Sequence, residues 1–125
     1  MNKNNDFPNT PNVVIVLAKC RKHKHSFGIR IEEKQPSVWL ADWAFIIQEN
    51  KARKEGYDRS EIRGTFGIDP TYPGCPYCQS PGFFKCGCGK VACWDGETPV
   101  VTCPWCGSKG KLSGEINDLS AGVDR

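Results

Sequence analysis

The chain has 125 residues, of which 38% are apolar, and its formal net charge is +3 with histidine neutral. This length suits one ordinary domain, or two very small units that share an interface. The longest apolar run, residues 13–18, is the length of one strand and excludes a membrane-spanning helix in this sequence. Residues 1–11 are polar and lack the features of a secretory signal, so we expect a flexible leader on a cytoplasmic protein.

Eight cysteines indicate metal binding rather than a disulfide framework, because cytoplasmic thiols are kept reduced. Seven of the eight lie between residues 75 and 106. A zinc ion held by four thiolates carries a net charge of −2, so the formal charge of +3 would become +1 with one such centre and −1 with two. The basic residues therefore give little support to nucleic-acid binding.

Residues 12–73 are predicted to form a small antiparallel sheet, within an all-β or β-rich α+β fold. Residues 13–17 are apolar on both faces, as in a strand that is covered on both sides. Phe27, Ile29 and Ile31 alternate with small or charged residues, which is typical of a half-buried strand. The turn between these strands is highly charged, so the two strands are predicted to form a hairpin.

A third strand or strand pair is predicted at residues 38–47, and a fourth strand at residues 61–68. The odd positions of residues 38–47 should share one buried face: Trp39, Ala41, Trp43, Phe45 and Ile47. Between the two strands, residues 48–57 contain helix formers without an apolar stripe and indicate a solvated turn or short helix that ends at Gly56. Residues 69–74 are rich in turn formers and mark the boundary with a second unit.

That second unit, residues 74–114, is predicted to be a zinc ribbon, and residues 115–125 a loose tail. It contains two Cys-Pro-aromatic-Cys motifs of the zinc-knuckle type. Two intervening residues make a tight turn in which both sulfurs reach one ion at about 2.3 Å. A closed tetrahedral site needs four thiolates, so the first site is predicted to contain Cys75, Cys78, Cys103 and Cys106.

Three further cysteines surround the turn between the knuckles: Cys86, Cys88 and Cys93. They form a candidate second site that Cys20, His23 or His25 would complete. Alternatively, Cys20 is a small buried side chain at a strand end, and the two histidines are solvated. A cross-braced arrangement, in which Cys86 and Cys88 share an ion with the second knuckle, stays open because spacing does not decide which pairs meet. We therefore expect one or two zinc ions.

The residues favour a small interaction module over an enzyme. The Cys-Pro-Tyr-Cys motif also matches a glutaredoxin-type active site, but residues 79–82 cannot begin the helix which that chemistry requires. We find no catalytic constellation and no other cofactor-binding motif, and all-thiolate metal sites do not activate water. The alternative function is a nucleic-acid-binding zinc ribbon that uses the charged turn with Trp94 and Trp105.

Several segments together resemble the TerY-C metal-binding domain. They are VLAKC (16–20), FGIR (27–30), WAF (43–45), RKEGY (53–57), GCPYC (74–78), FFKCGCGK (83–90), CW (93–94) and CPWCG (103–107). The resemblance covers about residues 12–123 and is most specific in the cysteine motifs. That domain is found at the C-terminus of some TerY-like von Willebrand A proteins, so this chain would be a free-standing version or an excised domain.

The resemblance implies a bacterial cytoplasmic zinc protein of tellurite-resistance and stress-response clusters. Its implied partners are a von Willebrand A-type protein, a protein kinase and a metal-dependent Ser/Thr phosphatase. It also implies a scaffold role in protein–protein interaction, in which the chain itself is expected to undergo phosphorylation.

Overall fold

The computed structural model describes residues 12–48, 60–112, 114 and 116–123. The predicted leader lies outside these residues, and so does the turn or short helix predicted at residues 48–57, except for residue 48. The described residues form ten strands and no helix: β1 (Val13–Lys19), β2 (Ser26–Gln35), β3 (Val38–Ile46), β4 (Ser60–Arg63), β5 (Thr65–Ile68), β6 (Gly82–Lys85), β7 (Val91–Trp94), β8 (Val100–Thr102), β9 (Lys109–Lys111) and β10 (Asp118–Val123). The predicted all-β class is confirmed. No helix in this part of the chain has the length and apolar character needed to cross a bilayer.

Six of the strands close into a small barrel. They are hydrogen-bonded in the order β4-β10-β1-β2-β3-β5. The first and last strands of this order, β4 and β5, are consecutive in the chain and separated only by Gly64. Because the two ends of the path are joined by one residue, the sheet must curl round and meet itself. The pairs are antiparallel except β3 with β5, which is parallel.

Gly64 is the point at which the chain changes partner strands. Its φ of 144° lies in a region that side chains disfavour. Its N–H donates to the carbonyl of Asn117 at 3.0 Å, and the N–H of Thr65 donates to the carbonyl of Ser37 at 2.8 Å. The prediction of one continuous strand over residues 61–68 is therefore wrong, because the segment breaks at Gly64 to pair on both sides of the closure.

The barrel interior holds the main apolar core. Residues of β1, β2 and β3 dominate it, and β10 adds one side chain: Val14, Val16, Ala18, Phe27, Ile29, Ile31, Trp39, Ala41, Ala44 and Leu119. Trp39 stacks on Phe66 of β5 with ring centroids 6.4 Å apart. Burial of large apolar side chains from four strands is the main source of stability for a unit of this size.

Strand β3 contains a bulge that the sequence pattern did not reveal. The adjacent β2 residues Arg30 and Ile31 pair with Trp43 and Ala41 respectively. Asp42 is therefore an extra residue on β3. A bulge of one residue reverses the alternation of side chains along the strand. Trp39 and Ala41 are buried as predicted, but beyond the bulge Ala44 is buried and Trp43 is 54% exposed. The predicted buried face of odd-numbered residues is therefore wrong after residue 41.

The C-terminal segment is part of the barrel. Residues 118–123 form β10, which pairs with both β1 and β4. Leu119 is completely buried, and Lys85 of β6 forms an ion pair with Asp118. The predicted loose tail at 115–125 is wrong over these residues. A weak signal was present, because apolar residues alternate at positions 119, 121 and 123.

The hairpin of β6 and β7 extends the same sheet. Strand β7 pairs in parallel with the end of β1, with Ala18 opposite Val91 and Lys19 opposite Ala92. Strands β8 and β9 form a separate two-stranded sheet. The segment predicted as a zinc ribbon is thus divided, since its first hairpin is hydrogen-bonded to the barrel and its second is not.

Candidate metal centres

The eight cysteines gather into two groups of four, within each of which all sulfurs lie no more than 4.8 Å apart. The first cluster consists of Cys20, Cys75, Cys78 and Cys93. The second cluster consists of Cys86, Cys88, Cys103 and Cys106. All eight thiols are free of disulfide bonds.

This arrangement corrects the predicted first site. The knuckle of Cys75 and Cys78 does not share a cluster with the knuckle of Cys103 and Cys106; the cross-braced alternative is the one that the structure contains. The physical reason is the pairing of β1 with β7. Lys19 is opposite Ala92, so the next residues of the two strands, Cys20 and Cys93, are brought together.

The candidate histidine ligands lie outside both clusters. His23 and His25 are exposed. Their rings lie against the ring of Tyr77, with centroids 6.4 Å and 5.4 Å away respectively. Cys20, in contrast, is completely buried and supplies the fourth sulfur of the first cluster.

The two knuckles share one backbone geometry. In each, the N–H of the first cysteine donates to the carbonyl five residues later, and the N–H four residues later donates back to the cysteine carbonyl. These distances are 3.0 and 2.8 Å in the knuckle that begins at Cys75, and both are 2.9 Å in the knuckle that begins at Cys103. The residue that lies four positions after the first cysteine has a positive φ, which is 63° for Gln79 and 79° for Gly107. Each turn therefore directs two sulfurs to one side.

Cys20 begins a turn of the same class. Its N–H donates to the carbonyl of His25, and the N–H of Lys24 donates to its carbonyl, both at 2.9 Å. Lys24 also has a positive φ of 61°. His23 occupies the position where each knuckle has its second cysteine. This turn contains a single cysteine, so it lacks the pair of cysteines three positions apart that identifies a knuckle. The sequence therefore left the role of Cys20 open.

The aromatic residue inside each knuckle attaches it to the sheet. The Tyr77 hydroxyl donates to the carbonyl of Ser26 at the start of β2, at 2.8 Å. The Trp105 indole N–H donates to the carbonyl of Val91 in β7, at 2.7 Å. The ammonium group of Lys19 lies 4.1 Å from the centroid of the Trp105 ring, within cation–π range. Both knuckles are thereby attached to strands of the large sheet.

The distances between sulfurs fit a tetrahedral metal. They are 3.7 Å for Cys78–Cys93, 3.7 Å for Cys86–Cys106 and 3.8 Å for Cys88–Cys103. A tetrahedron with metal–sulfur bonds of about 2.3 Å has an edge of about 3.8 Å. A disulfide would need about 2.05 Å. The residues present therefore fit one metal ion in each cluster.

Backbone N–H groups point at sulfurs in both clusters. Arg21 donates to the sulfur of Cys93 at 3.3 Å, and His23 donates to that of Cys20 at 3.5 Å. In the second cluster, Trp105 donates to the sulfur of Cys103 at 3.4 Å. Such bonds orient metal-bound thiolates and offset their negative charge.

In each cluster one thiol ionises readily, whereas two others have raised pKa values. Burial raises the pKa of Cys75 strongly, and that of Cys93 to about 11. Burial would also raise the pKa of Cys78, but hydrogen bonds from Ser80 outweigh it and lower the value to about 7. In the second cluster, a hydrogen bond from the side chain of Ser108 lowers the pKa of Cys106 to about 6. Burial raises the pKa of Cys88 in the same cluster. Four thiolates in either cluster thus require a cation.

Acidification should release bound metal, because protons compete with the ion for the same sulfurs. Cys93 without metal has a pKa of about 11, so it must lose a proton when an ion binds at neutral pH. Metal affinity should therefore rise with pH below that value and fall as pH drops from about 8 to about 5. A chromophoric chelator would measure the release. An affinity that does not change with pH would contradict thiolate ligation.

Comparison with known proteins identifies the family of this chain. The family model described as the TerY-C metal binding domain matches residues 10–125, and so includes both clusters. No curated protein and no solved structure matches the chain significantly. The match confirms the resemblance noted from the sequence motifs, which covered about residues 12–123. With two groups of four cysteines inside the matched region, the chain belongs to the TerY-C metal binding domain family.

Proposed function

We propose that this chain is a zinc-stabilised, non-catalytic protein-interaction module of the bacterial cytoplasm. Metal binding is supported by the two four-sulfur clusters, whose sulfurs have tetrahedral spacing, in a chain of a metal-binding family. Family resemblance supports the wider context, in which the module serves a phosphorylation-linked stress response of the tellurite-resistance type. There it would act with a von Willebrand A-type protein, a protein kinase and a Ser/Thr phosphatase.

The ligand sets support zinc in a structural role. Four thiolates arranged as a tetrahedron are typical of structural zinc. Such a set fills every coordination position, so no position is left for substrate or water. The ion would hold turns together, and the protein surface would carry the function.

Metal content provides the first test. Native mass spectrometry with elemental analysis should find two zinc ions per chain, and one in a Cys106→Ser variant, because only the second cluster loses a ligand. Retention of both ions by this variant would contradict the ligand assignment. Iron as the bound metal, or a wild-type chain with no metal, would contradict the zinc proposal.

Trp43 is the tryptophan best placed to contact a partner. Trp39 is buried in the core, whereas Trp43 is 54% exposed beyond the bulge of β3. The indole N–H groups of Trp94 and Trp105 donate to backbone carbonyls of the chain itself, at 2.7 Å in both cases. Exposed tryptophan contributes strongly to protein interfaces. We therefore place the partner contact around Trp43.

Co-purification tests this part of the proposal. The full chain, tagged and expressed in its source cell, should retain a von Willebrand A-type protein, and Trp43→Ala should lose it. Val100→Ala is a matched control, because Val100 is also exposed but lies in β8, outside the barrel. Equal capture by the wild type and Trp43→Ala would contradict the proposed surface. Nucleic acid bound with a steep salt dependence would favour the alternative function.

A further inference from the structure

The two clusters differ sharply in their access to solvent. In the first cluster, Cys20, Cys75 and Cys93 are each no more than 1% exposed. In the second cluster, Cys88 and Cys106 are exposed, and Cys103 is the buried member. Reactivity of cysteine toward solutes depends on accessible sulfur as well as on thiolate character. The clusters therefore present the same ligands to very different environments.

A cavity leads from solvent to the second cluster. It is open, has a volume of about 540 Å³ and is lined by all four cysteines of that cluster. Phe84, Val101 and Leu112 contribute apolar wall. A neighbouring cavity of about 730 Å³ is lined by no cysteine. A small uncharged solute can thus reach the sulfurs of the second cluster from this side.

We propose that the second cluster is a site of oxidation by hydroperoxides, which convert Cys86 and Cys106 into a disulfide and release the bound ion. The inference rests on the proposed metal-binding function of this cluster. Cys88 and Cys106 are the two exposed sulfurs of the cluster. Cys106 is the one first oxidised to a disulfide, because the sulfur 3.8 Å from Cys88 is that of Cys103, which is only 2% exposed. Cys86 is its partner, because the two sulfurs are 3.7 Å apart.

The reaction proceeds in two balanced steps. The Cys106 thiolate attacks one peroxide oxygen, the O–O bond breaks, and hydroxide or alkoxide leaves and takes a proton from water; Cys106 becomes a sulfenic acid. The Cys86 thiolate then attacks that sulfur, the S–O bond breaks, and hydroxide leaves. The two sulfurs together lose two electrons. With two protons from solvent, these electrons reduce hydrogen peroxide to two water molecules, or an organic hydroperoxide to one water and one alcohol.

Loss of the ion follows from charge and ligand count. The disulfide removes two of the four anionic ligands of the cluster, and the two that stay, Cys88 and Cys103, cannot fill a tetrahedral site. The structural consequence is local. The second cluster joins the β6–β7 turn to the separate β8–β9 hairpin, whereas the barrel is attached to the first cluster. Oxidation would remove the metal's hold on this hairpin, which then keeps the Trp105 hydrogen bond to β7 and its apolar contact with Phe84 and Ala92, and would leave the barrel folded.

The test oxidises the full metal-loaded chain with hydrogen peroxide and follows metal release with a chromophoric chelator. Disulfides are mapped by mass spectrometry at intervals. We expect one of the two bound ions to leave, together with a Cys86–Cys106 disulfide, before any sulfur of the first cluster reacts. A first disulfide at Cys78–Cys93 or Cys103–Cys106, or release of both ions together, would overturn the proposal.

Two matched variants separate the roles of the sulfurs. Cys86→Ser and Cys88→Ser each remove one ligand from the same cluster. The Cys86–Cys106 disulfide should still form in the Cys88→Ser variant. The Cys86→Ser variant should instead accumulate a sulfenic acid at Cys106, which a cyclic 1,3-diketone traps. Metal counted before oxidation distinguishes the two proposals: fewer than two ions in the wild type refutes the metal-binding function, and two ions without ordered release refutes only this inference.

Discussion

Cys20→Ser should abolish the cooperative fold of the whole chain, whereas Cys106→Ser should leave the barrel folded. Cys20 is completely buried, and it belongs to the same apolar core as Cys75 and Cys93. Loss of this ligand therefore disrupts a metal centre and the core together. Cys106 is exposed and lies outside that core.

The size of the effect follows from comparing two free energies. Binding of structural zinc contributes on the order of 10–16 kcal/mol in short peptides at neutral pH. A whole domain is stable by only about 5–15 kcal/mol. Serine is a poor substitute for thiolate, so loss of the first centre can exceed the entire stability of the fold.

Circular dichroism and thermal unfolding, with metal counted by native mass spectrometry, would measure both variants. Cys106→Ser is the matched control, because the two substitutions replace the same sulfur atom with oxygen, one in each cluster. We expect one ion and a cooperative transition in the control, and no cooperative transition in Cys20→Ser. Equal loss of structure in the two variants would show that the clusters do not differ in this way.

Gly64→Ala should lower the free energy of unfolding of the metal-saturated protein by about 3 kcal/mol, since a strained backbone and a steric overlap each cost about 1–3 kcal/mol. The φ of Gly64 is 144°, and an added Cβ would lie 2.3 Å from the backbone oxygen of Ser37. That oxygen accepts the N–H of Thr65, so it cannot move away without breaking the junction of β3 with β5.

Urea denaturation in excess zinc would measure the change. Gly110→Ala is the control, because no atom lies within 4 Å of its added Cβ and its φ is not in the positive region. The control should be close to wild type, since alanine suits an exposed strand at least as well as glycine does. If the two variants are equally stable, Gly64 is not required for closure of the barrel.

Much of the fold could be predicted from short-range patterns. The apolar residues of β1 and the alternation of Phe27, Ile29 and Ile31 correctly predicted the first two strands and their hairpin. The bulge at Asp42 could not be predicted in the same way, because an extra residue is defined only by the partner strand opposite it. Similarly, β10 has only a weak alternation of its own, and it is stabilised by pairing with β1 and β4.

By itself, the sequence determined that this is a metal-binding chain with cysteine ligands and that two of its local turns are of the knuckle type. Two residues between cysteines place both sulfurs on one side of one turn, which is a local property. Only the tertiary structure decided which sulfurs share an ion. Cys20 lies 73 positions before Cys93 in the sequence, and the two meet because β1 pairs in parallel with β7. Such a long-range register depends on burial of the whole core, which no local spacing encodes.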